Sequence, residues 1–421
     1  MRALFRLGPS HAVSADHRTP SARGYRQPAE WAPHEATWLS WPHNRDSWPG
    51  VFADVEPAMV AFVRALAGCE PVYINVLSAE HERHVRTLLA AAVAPERLRV
   101  YRFPTNDAWA RDHGAIFVTR PAREAPRLAV DFDYNAWGGK YPPFDLDREV
   151  GRQMAEALGV PRYAQPGVVL EGGSIDVNGE GALLTTEQCL LNPNRNPSLT
   201  RTDIERLLRD CFGVTEILWL GLGIEGDDTD GHIDDLARFV TPDTVVTVVE
   251  PNRADPNHAP LAANRRLLDT LTVNGRALIV VELPMPEPQY LVDQRLPASY
   301  ANFYVANGAV LVPTFGCAAD AAACSILGDC FPGSARCIAS RSRCRPCRRR
   351  QHERARAPAG LWPRVRFPNL HGFGGRLTPG VSRWARSRIS SAITIGISTA
   401  RRSSTQPTPT CVTWTTAARC S

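Results

Sequence analysis

One stretch of nine residues, Gly226–Asp234, holds four carboxylates and one imidazole. It lies between two apolar runs, 217–222 and 236–240, and each run predicts a β-strand. His232 and Asp234 are two positions apart, so on a strand their side chains would face the same side. An acidic loop beside a buried sheet has a desolvation cost unless a cation binds there. The pattern therefore favours a cation site, and a solvated acidic turn is the alternative.

Two further polar clusters interrupt apolar runs, at 106–114 and at 170–176. Sites in α/β folds form where strands end, so we expect these clusters to meet the acidic loop. The candidate site residues in the three clusters are the imidazole of His232, the indole of Trp109 and the carboxylates of Asp107, Asp112, Glu171, Asp228, Asp230 and Asp234. Carboxylates can clamp the flat guanidinium cation by paired hydrogen bonds, and an aromatic face attracts it further.

The elements that position these clusters alternate along the chain, which predicts an α/β protein with mixed sheets. The predicted strands are 72–77, 98–103, 115–118, 128–132, 168–170, 175–177, 182–184, 215–222, 236–249, 277–282 and 302–312. The predicted helices are 79–92, 146–158, 202–212, 260–271 and 319–330, with Thr200 or Thr202 as the N-cap of the third. Residues 25–50 contain four Trp and four Pro and are interpreted as an irregular aromatic segment.

Composition limits the class of protein. The 421 residues are 44% hydrophobic, enough for a sizeable core, and no apolar run is long enough to predict a membrane helix. Residues 1–24 have too short an apolar segment for a signal peptide and are interpreted as a disordered extension, or as the result of a start codon placed too early. Only three Cys precede residue 300, which favours a reducing cytoplasmic location. Neither Cys344–Cys347 nor the run His232–Asp235 has a second ligand pair at the expected spacing, so no metal and no cofactor is predicted.

Five motifs in order make the chain similar to the agmatine deiminases of the Porphyromonas-type peptidyl-arginine deiminase family. They are PAEWAPHEATWLSWPHNRDSWPG, NDAWARDHGAIFV, LEGGSIDVNGEGALLTTEQCLLNPNRNP, GDDTDGHIDDLARFV and SYANFYVANGAVLVPTFG. The resemblance covers 25–335 and implies a pentein fold. In that fold, ββαβ-type modules form a pseudo-fivefold α/β propeller around a central site.

The resemblance also implies a reaction, the hydrolysis of agmatine to N-carbamoylputrescine and ammonia. Asp112 and Asp234 would grip the guanidinium, and His232 would act as general acid and base. Trp109 would line the substrate slot, Asp228 would face the amine end, and Glu171 would contribute to substrate binding. A thiolate attacks the guanidinium carbon in this family, and no metal takes part.

The chain departs from the family in its last part. From Arg336 to Ser421 there are 18 Arg and one acid, a net charge of +17, whereas 1–335 carries −12. The family's nucleophilic Cys is expected near position 353, where Glu353 stands, and no Cys occurs between Cys347 and Cys411. The interpretation is a reading-frame shift between about 333 and 342. It would leave the last module incomplete, the tail 336–421 disordered and this chain inactive.

Three alternatives stay open. The first is a genuine basic tail that binds nucleic acid, although we expect no nucleic-acid partner and no membrane. The second is a peptidyl-arginine deiminase, which carries out the same chemistry on a larger substrate. The third is a non-catalytic relic that binds guanidines. The expected partner is a small guanidine, and a homo-oligomer is possible within the resemblance.

Overall fold

The computed structural model describes residues 18–291 and 293–332, together with the backbone of two short strands at 340–341 and 395–398. Nine α-helices lie in these ranges: α1 (Phe52–Ala67), α2 (Ala79–Leu89), α3 (Ala110–His113), α4 (Ala136–Gly139), α5 (Val150–Leu158), α6 (Glu187–Leu190), α7 (Arg201–Phe212), α8 (His258–Leu268) and α9 (Ala319–Cys330). Strands β1 to β9 are His34–Ser40, Val72–Asn75, Leu98–Tyr101, Ile116–Thr119, Arg127–Asp133, Arg162–Val169, Asp176–Val177, Ala182–Thr186 and Glu216–Leu220. Strands β10 to β21 are Ala237–Phe239, Thr244–Val249, Thr272–Val273, Arg276–Ala277, Ile279–Pro284, Tyr290–Leu291, Gln294–Arg295, Tyr304–Ala306, Ala309–Leu311, Pro313–Thr314, Ser340–Arg341 and Ile395–Ser398.

A unit of three strands and one helix recurs along the chain. In each copy two antiparallel strands are followed by a helix and then by a third strand, parallel to the second. Three complete copies are β4-β5-α5-β6, β7-β8-α7-β9 and β10-β11-α8-β14. The parallel third strand needs a crossover helix, which explains the alternation read from the sequence. The predicted α/β class and ββαβ-type modules are therefore confirmed, while the fivefold arrangement and the incomplete last module stay predictions.

Helix α7 shows how local sequence sets these units. The side chain of Thr200 accepts a hydrogen bond from the backbone N–H of Asp203, and the Asp203 carboxylate accepts one from the backbone N–H of Thr200, which completes a capping box. The helix ends at Gly213, whose φ of 66° is the left-handed conformation that glycine adopts most easily. Of the two predicted N-caps, Thr200 is confirmed. The apolar face of α7, with Leu208 and Phe212, is fully buried in a core that also contains residues of β4 and β5 from the first unit.

Several sequence predictions about elements were wrong. The segment 25–50 is not irregular throughout, because His34–Ser40 forms the almost fully buried strand β1. The helix α1 was not predicted. The predicted single strands 236–249 and 302–312 are each a hairpin. The first turns near Pro242, which cannot donate a ladder hydrogen bond, and the second at Gly308, whose φ is 77°.

The predicted N-terminal boundary of the body, residue 25, needs a correction. A 3-10 turn at Ser21–Arg23 lies within the proposed extension 1–24, and the carbonyl of Arg23 accepts a hydrogen bond from the Arg120 guanidinium at 3.2 Å. The ordered body therefore begins before residue 25. Residues 1–17 and almost all of the tail 336–421 lie outside the described residues. Among the described helices, none has the length and apolar character that crossing a bilayer requires.

Candidate active site

Three polar turns meet at the ends of neighbouring units, as the sequence predicts. The short helix α3 carries Asp112, a 3-10 turn at Gly172–Ser174 follows Glu171, and a second turn, Ile233–Asp235, follows His232. His232 and Asp234 therefore do not lie on a strand, and that expectation was wrong. The turn still places both side chains in one cluster, since it wraps them around the same point.

Three carboxylates surround the imidazole of His232. Its Nδ1 lies 3.8 Å from Asp112 Oδ1 and 4.0 Å from Asp234 Oδ1, and its Nε2 lies 3.9 Å from Glu171 Oε2. These distances are too long for hydrogen bonds. All four side chains are buried, with at most 8% of any residue exposed. The ring thus has two aspartates on one side and one glutamate on the other.

Gly173 is the floor of this cluster. A Cβ at this position would lie 2.5 Å from His232 Nδ1, 2.8 Å from Asp234 Oδ2 and 2.9 Å from Asp112 Oδ1. The backbone N–H of Gly173 also donates to Asp112 Oδ1 at 3.1 Å. A glycine is needed here because the three functional side chains occupy the space that any other side chain would take.

Burial and like charge disturb the ionisation of the aspartates. Burial, and then repulsion from Asp112, raises the pKa of Asp234 to about 8, although Arg111 and Arg238 oppose the shift. Burial and the neighbouring Asp234 also raise the pKa of Asp235 well above its usual value. Two carboxylates cannot both stay ionised here without a nearby cation. The Arg111 guanidinium lies nearby and donates a hydrogen bond to Glu30 at 2.7 Å.

A buried arginine joins two of the three turns. Arg195 Nε donates to Glu171 Oε1 at 2.8 Å, and Nη2 donates to the carbonyl of Thr229 at 2.7 Å. Its Nη1 pairs with Asp230. Burial opposes its charge, but Glu171 and its other partners hold the pKa of Arg195 above its ordinary value. Sequence reasoning missed Arg195, whose only signal was the turn-rich segment Asn192–Pro197.

A second residue missed by sequence reasoning is Trp137, whose Nε1 donates to Asp112 Oδ2 at 3.1 Å. Trp137 and Ala136 have φ values of 59° and 50°, a left-handed conformation that costs non-glycine residues about 1–2 kcal/mol each. Trp109 is fully buried and packs edge-on against Trp137 and Trp48, with ring centroids 6.2 Å and 5.3 Å away. Trp109 therefore lies in the aromatic support of the Asp112 turn.

The remaining acids of the loop lie farther out. Asp228 accepts a hydrogen bond from the Tyr141 hydroxyl, and its carbonyl accepts one from Lys140 Nζ at 2.7 Å. Lys140 Nζ also donates to Asp230 Oδ1 at 2.6 Å. Asp107 lies before α3, where it accepts hydrogen bonds from the Ser47 hydroxyl and from the backbone N–H of Ala108, and it lines a cavity of about 670 Å³. That cavity is also lined by Trp137 and Tyr141, so it adjoins the aspartate cluster.

Comparison with known proteins identifies the family. Residues 26–341 match the profile of the Porphyromonas-type peptidyl-arginine deiminases. The chain belongs to this family. A relative named agmatine deiminase, from Stutzerimonas stutzeri, is 40% identical over 337 residues, which are 75% of this chain and 90% of the relative.

Solved structures in this family have the same fold. An agmatine deiminase of Enterococcus faecalis matches with a TM-score of 0.72 and 32% identity, covering 78% of this chain and 93% of that one. A C. jejuni agmatine deiminase with Cys replaced by Ser and substrate bound matches with a TM-score of 0.68 and 31% identity, covering 75% and 90%. The predicted family of hydrolases and its pentein fold are confirmed.

Proposed function

We propose that the described body is the guanidine-binding part of an agmatine deiminase. The observation that carries the proposal is the buried pair of Asp112 and Asp234, in which burial and the repulsion between the two carboxylates raise the pKa of Asp234 to about 8. A permanent, flat cation between the two carboxylates would relieve both the burial cost and the repulsion. The guanidinium of agmatine has that charge and shape.

In the proposed complex, Asp112 and Asp234 each accept hydrogen bonds from the guanidinium. Asp112 is oriented for this by Trp137 and by the Gly173 N–H, which both donate to it. Fixing the plane of the cation localises its charge and makes its central carbon more electrophilic. Such positioning supplies catalysis because the acceptors are already in place before the reaction begins.

His232 is proposed as the general acid and base. It would protonate the amino group that leaves as ammonia when its C–N bond breaks, and then take a proton from the water that releases the product. Its Nδ1 faces the aspartate pair, where the guanidinium would lie, and its Nε2 faces Glu171. In this arrangement Glu171 acts from behind the ring, where its negative charge favours the imidazolium form.

The outer acids suit the other end of agmatine. Asp228 is proposed to face the primary ammonium, and its hydrogen bond to Tyr141 fixes its carboxylate. The cavity beside Trp137 and Tyr141 has room for an aliphatic chain at about 670 Å³. Carboxylates at both ends would favour a substrate with a positive charge at each end over a simple guanidine with only one.

The catalytic thiol is the missing part. No Cys stands at position 353 or between Cys347 and Cys411, and the Cys189 thiol cannot replace it as an activated nucleophile, because burial raises its pKa well above the usual value. We therefore propose that this chain binds agmatine without turnover, which the substrate complex of the serine variant from C. jejuni supports. We attribute the absence to a reading-frame shift beyond Gly333.

A peptidyl-arginine deiminase, which acts on a larger substrate, is the alternative function. A peptidyl-arginine substrate would lack the free ammonium that Asp228 is proposed to meet, so affinity for agmatine over an acylated arginine amide distinguishes the two. A cytoplasmic location, self-association and a disordered tail at 336–421 remain predictions from the sequence and the family resemblance.

The test is calorimetric binding of agmatine to the purified chain. Asp112→Ala should weaken binding by about 2–5 kcal/mol, the range for breaking a desolvated charge pair. Asp269→Ala is the matched control, because this aspartate pairs with Arg265 on the surface of α8, far in sequence from the three turns. Equal affinity in Asp112→Ala and in the parent would refute the clamp.

A further inference from the structure

A second cluster lies on the far side of His232 from the aspartate pair. Glu171, Cys189 and His232 each place one potential ligand atom within 4.8 Å of the other two. They come from three separate segments: the turn before Gly172, the short helix α6, and the acidic loop. All three residues are at most 2% exposed.

The spacing is close to that of a metal centre. Three atoms that all lie within 4.8 Å of one another leave a central point that is no more than about 2.8 Å from each of them. Zinc binds nitrogen and oxygen at about 2.0–2.2 Å and sulfur at about 2.3 Å. Each ligand atom would therefore move inward by at most about 0.5–0.8 Å to meet these distances. Small rotations of the three side chains can supply a movement of that size.

The donor atoms and the local charge also suit a cation. Arg195 binds Glu171 through Oε1, whereas Glu171 Oε2 accepts no hydrogen bond from the described residues although it is buried. Buried carboxylate oxygens in that condition are uncommon and point to a missing partner. Around Cys189 lie the carboxylates of Asp227, Asp230 and Glu171 as well as the guanidinium of Arg195. A cation bound there would therefore have negative charges beside it.

We propose that Glu171, Cys189 and His232 form a binding site for a soft divalent cation of the zinc type. One carboxylate, one thiolate and one imidazole are ligands that zinc accepts and that magnesium and calcium do not select. On binding, the Cys189 S–H bond breaks, sulfur keeps the electron pair and donates it to the cation, and the proton leaves to the buffer.

Cation binding at this site would change the ability of His232 to transfer protons. With Nε2 bound to the cation, Nδ1 carries the only ring proton, and the ring can no longer accept a second one. The cation would thus withdraw the general acid and base from the reaction. This inhibitory consequence rests on the proposed deiminase function, whereas cation binding itself does not.

Cobalt titration of the full chain tests the site, since thiolate-bound Co²⁺ gives a charge-transfer band. Accessible thiols are first alkylated under native conditions, which leaves the buried Cys189 and Cys211 unmodified. The parent should bind one Co²⁺ with this band, and Zn²⁺ should displace it. Cys189→Ser should lose the band and Cys211→Ser, a matched buried cysteine, should keep it. Retention of the band in Cys189→Ser, equal loss in both variants, or no band in the parent overturns the proposal.

A second variant guards against misfolding of Cys189→Ser. Glu171→Gln keeps the thiol and the shape of the side chain but removes the anionic ligand. Its Co²⁺ affinity should fall by at least about 10-fold, the lower end of the effect seen even for outer-sphere changes. Unchanged affinity contradicts the proposal. Because the titration contains no agmatine, its failure would leave the deiminase proposal standing.

Discussion

Replacing Gly173 by Ala should displace the proposed catalytic groups from one another without touching any of them chemically. The new methyl group would lie 2.5 Å from His232 Nδ1, 2.8 Å from Asp234 Oδ2 and 2.9 Å from Asp112 Oδ1. Ordinary contacts begin near 3.4 Å, so the imidazole must retreat by about 0.9 Å and the carboxylates by about 0.5–0.6 Å. The backbone of Gly173 is outside the left-handed region, so alanine fits its conformation.

The size of the effect follows from these displacements. A misplacement of about 1 Å can cost about 100-fold in rate, and overpacking a dense site costs about 1–3 kcal/mol of stability. We therefore expect Gly173→Ala to weaken agmatine binding at least about 10-fold. In a chain with the reading frame restored, its kcat/KM should fall by about 100-fold.

The assay is calorimetric titration with agmatine, accompanied by a thermal melt of each variant. Gly221→Ala is the control, because its added Cβ would meet only Asn264 Oδ1, at an ordinary 3.4 Å. Gly221→Ala should bind agmatine as the parent does. If Gly173→Ala also binds with the parent's affinity, the three side chains do not converge on the substrate as proposed.

Further predictions concern charge and proton transfer. Because the folded-state pKa of Asp234 is raised to about 8, its contribution to stability is present below about pH 4 and is lost as the pH rises through about 8. Agmatine binding should strengthen as the pH rises toward about 8, because the Asp234 carboxylate ionises. Asp234→Asn should remove both the loss of stability, measured by melts at several pH values, and the gain in binding, measured by titrations at the same pH values. Arg195→Met should lower the free energy of unfolding by about 3–5 kcal/mol in denaturant melts, since the buried carboxylate of Glu171 loses its cationic partner. Arg206→Met, at an exposed ion pair with Asp203, should not lower it by that amount. In a frame-restored chain, His232→Ala should lower kcat more than it raises KM, and a change confined to KM would argue against its role in proton transfer.

Much of the fold was predictable because its signals are local. Helix α7 follows from a capping threonine, Thr200, an apolar periodicity and a terminal glycine, Gly213. Helix α9, Ala319–Cys330, was predicted with its observed bounds. The meeting of three polar clusters was also predictable, since each follows an apolar run and α/β folds gather such positions.

The rest depends on contacts between distant parts of the chain. Arg111 pairs with Glu30, 81 residues away, and no local pattern distinguishes that partner from Asp112. Arg195 and Trp137 orient Glu171 and Asp112 from segments that look like ordinary loops. Local periodicity also could not separate the hairpin strands of 236–249, because apolar residues precede and follow the short turn in the same pattern.

The most direct test of the proposed function is agmatine supplied to two purified chains, this one and one with the reading frame restored beyond Gly333. Ammonia release and calorimetric binding are measured on both. This chain should bind agmatine and release no ammonia, and the restored chain should do both. Ammonia release by this chain that Cys347→Ser abolishes would contradict the proposal and assign the nucleophile to Cys347.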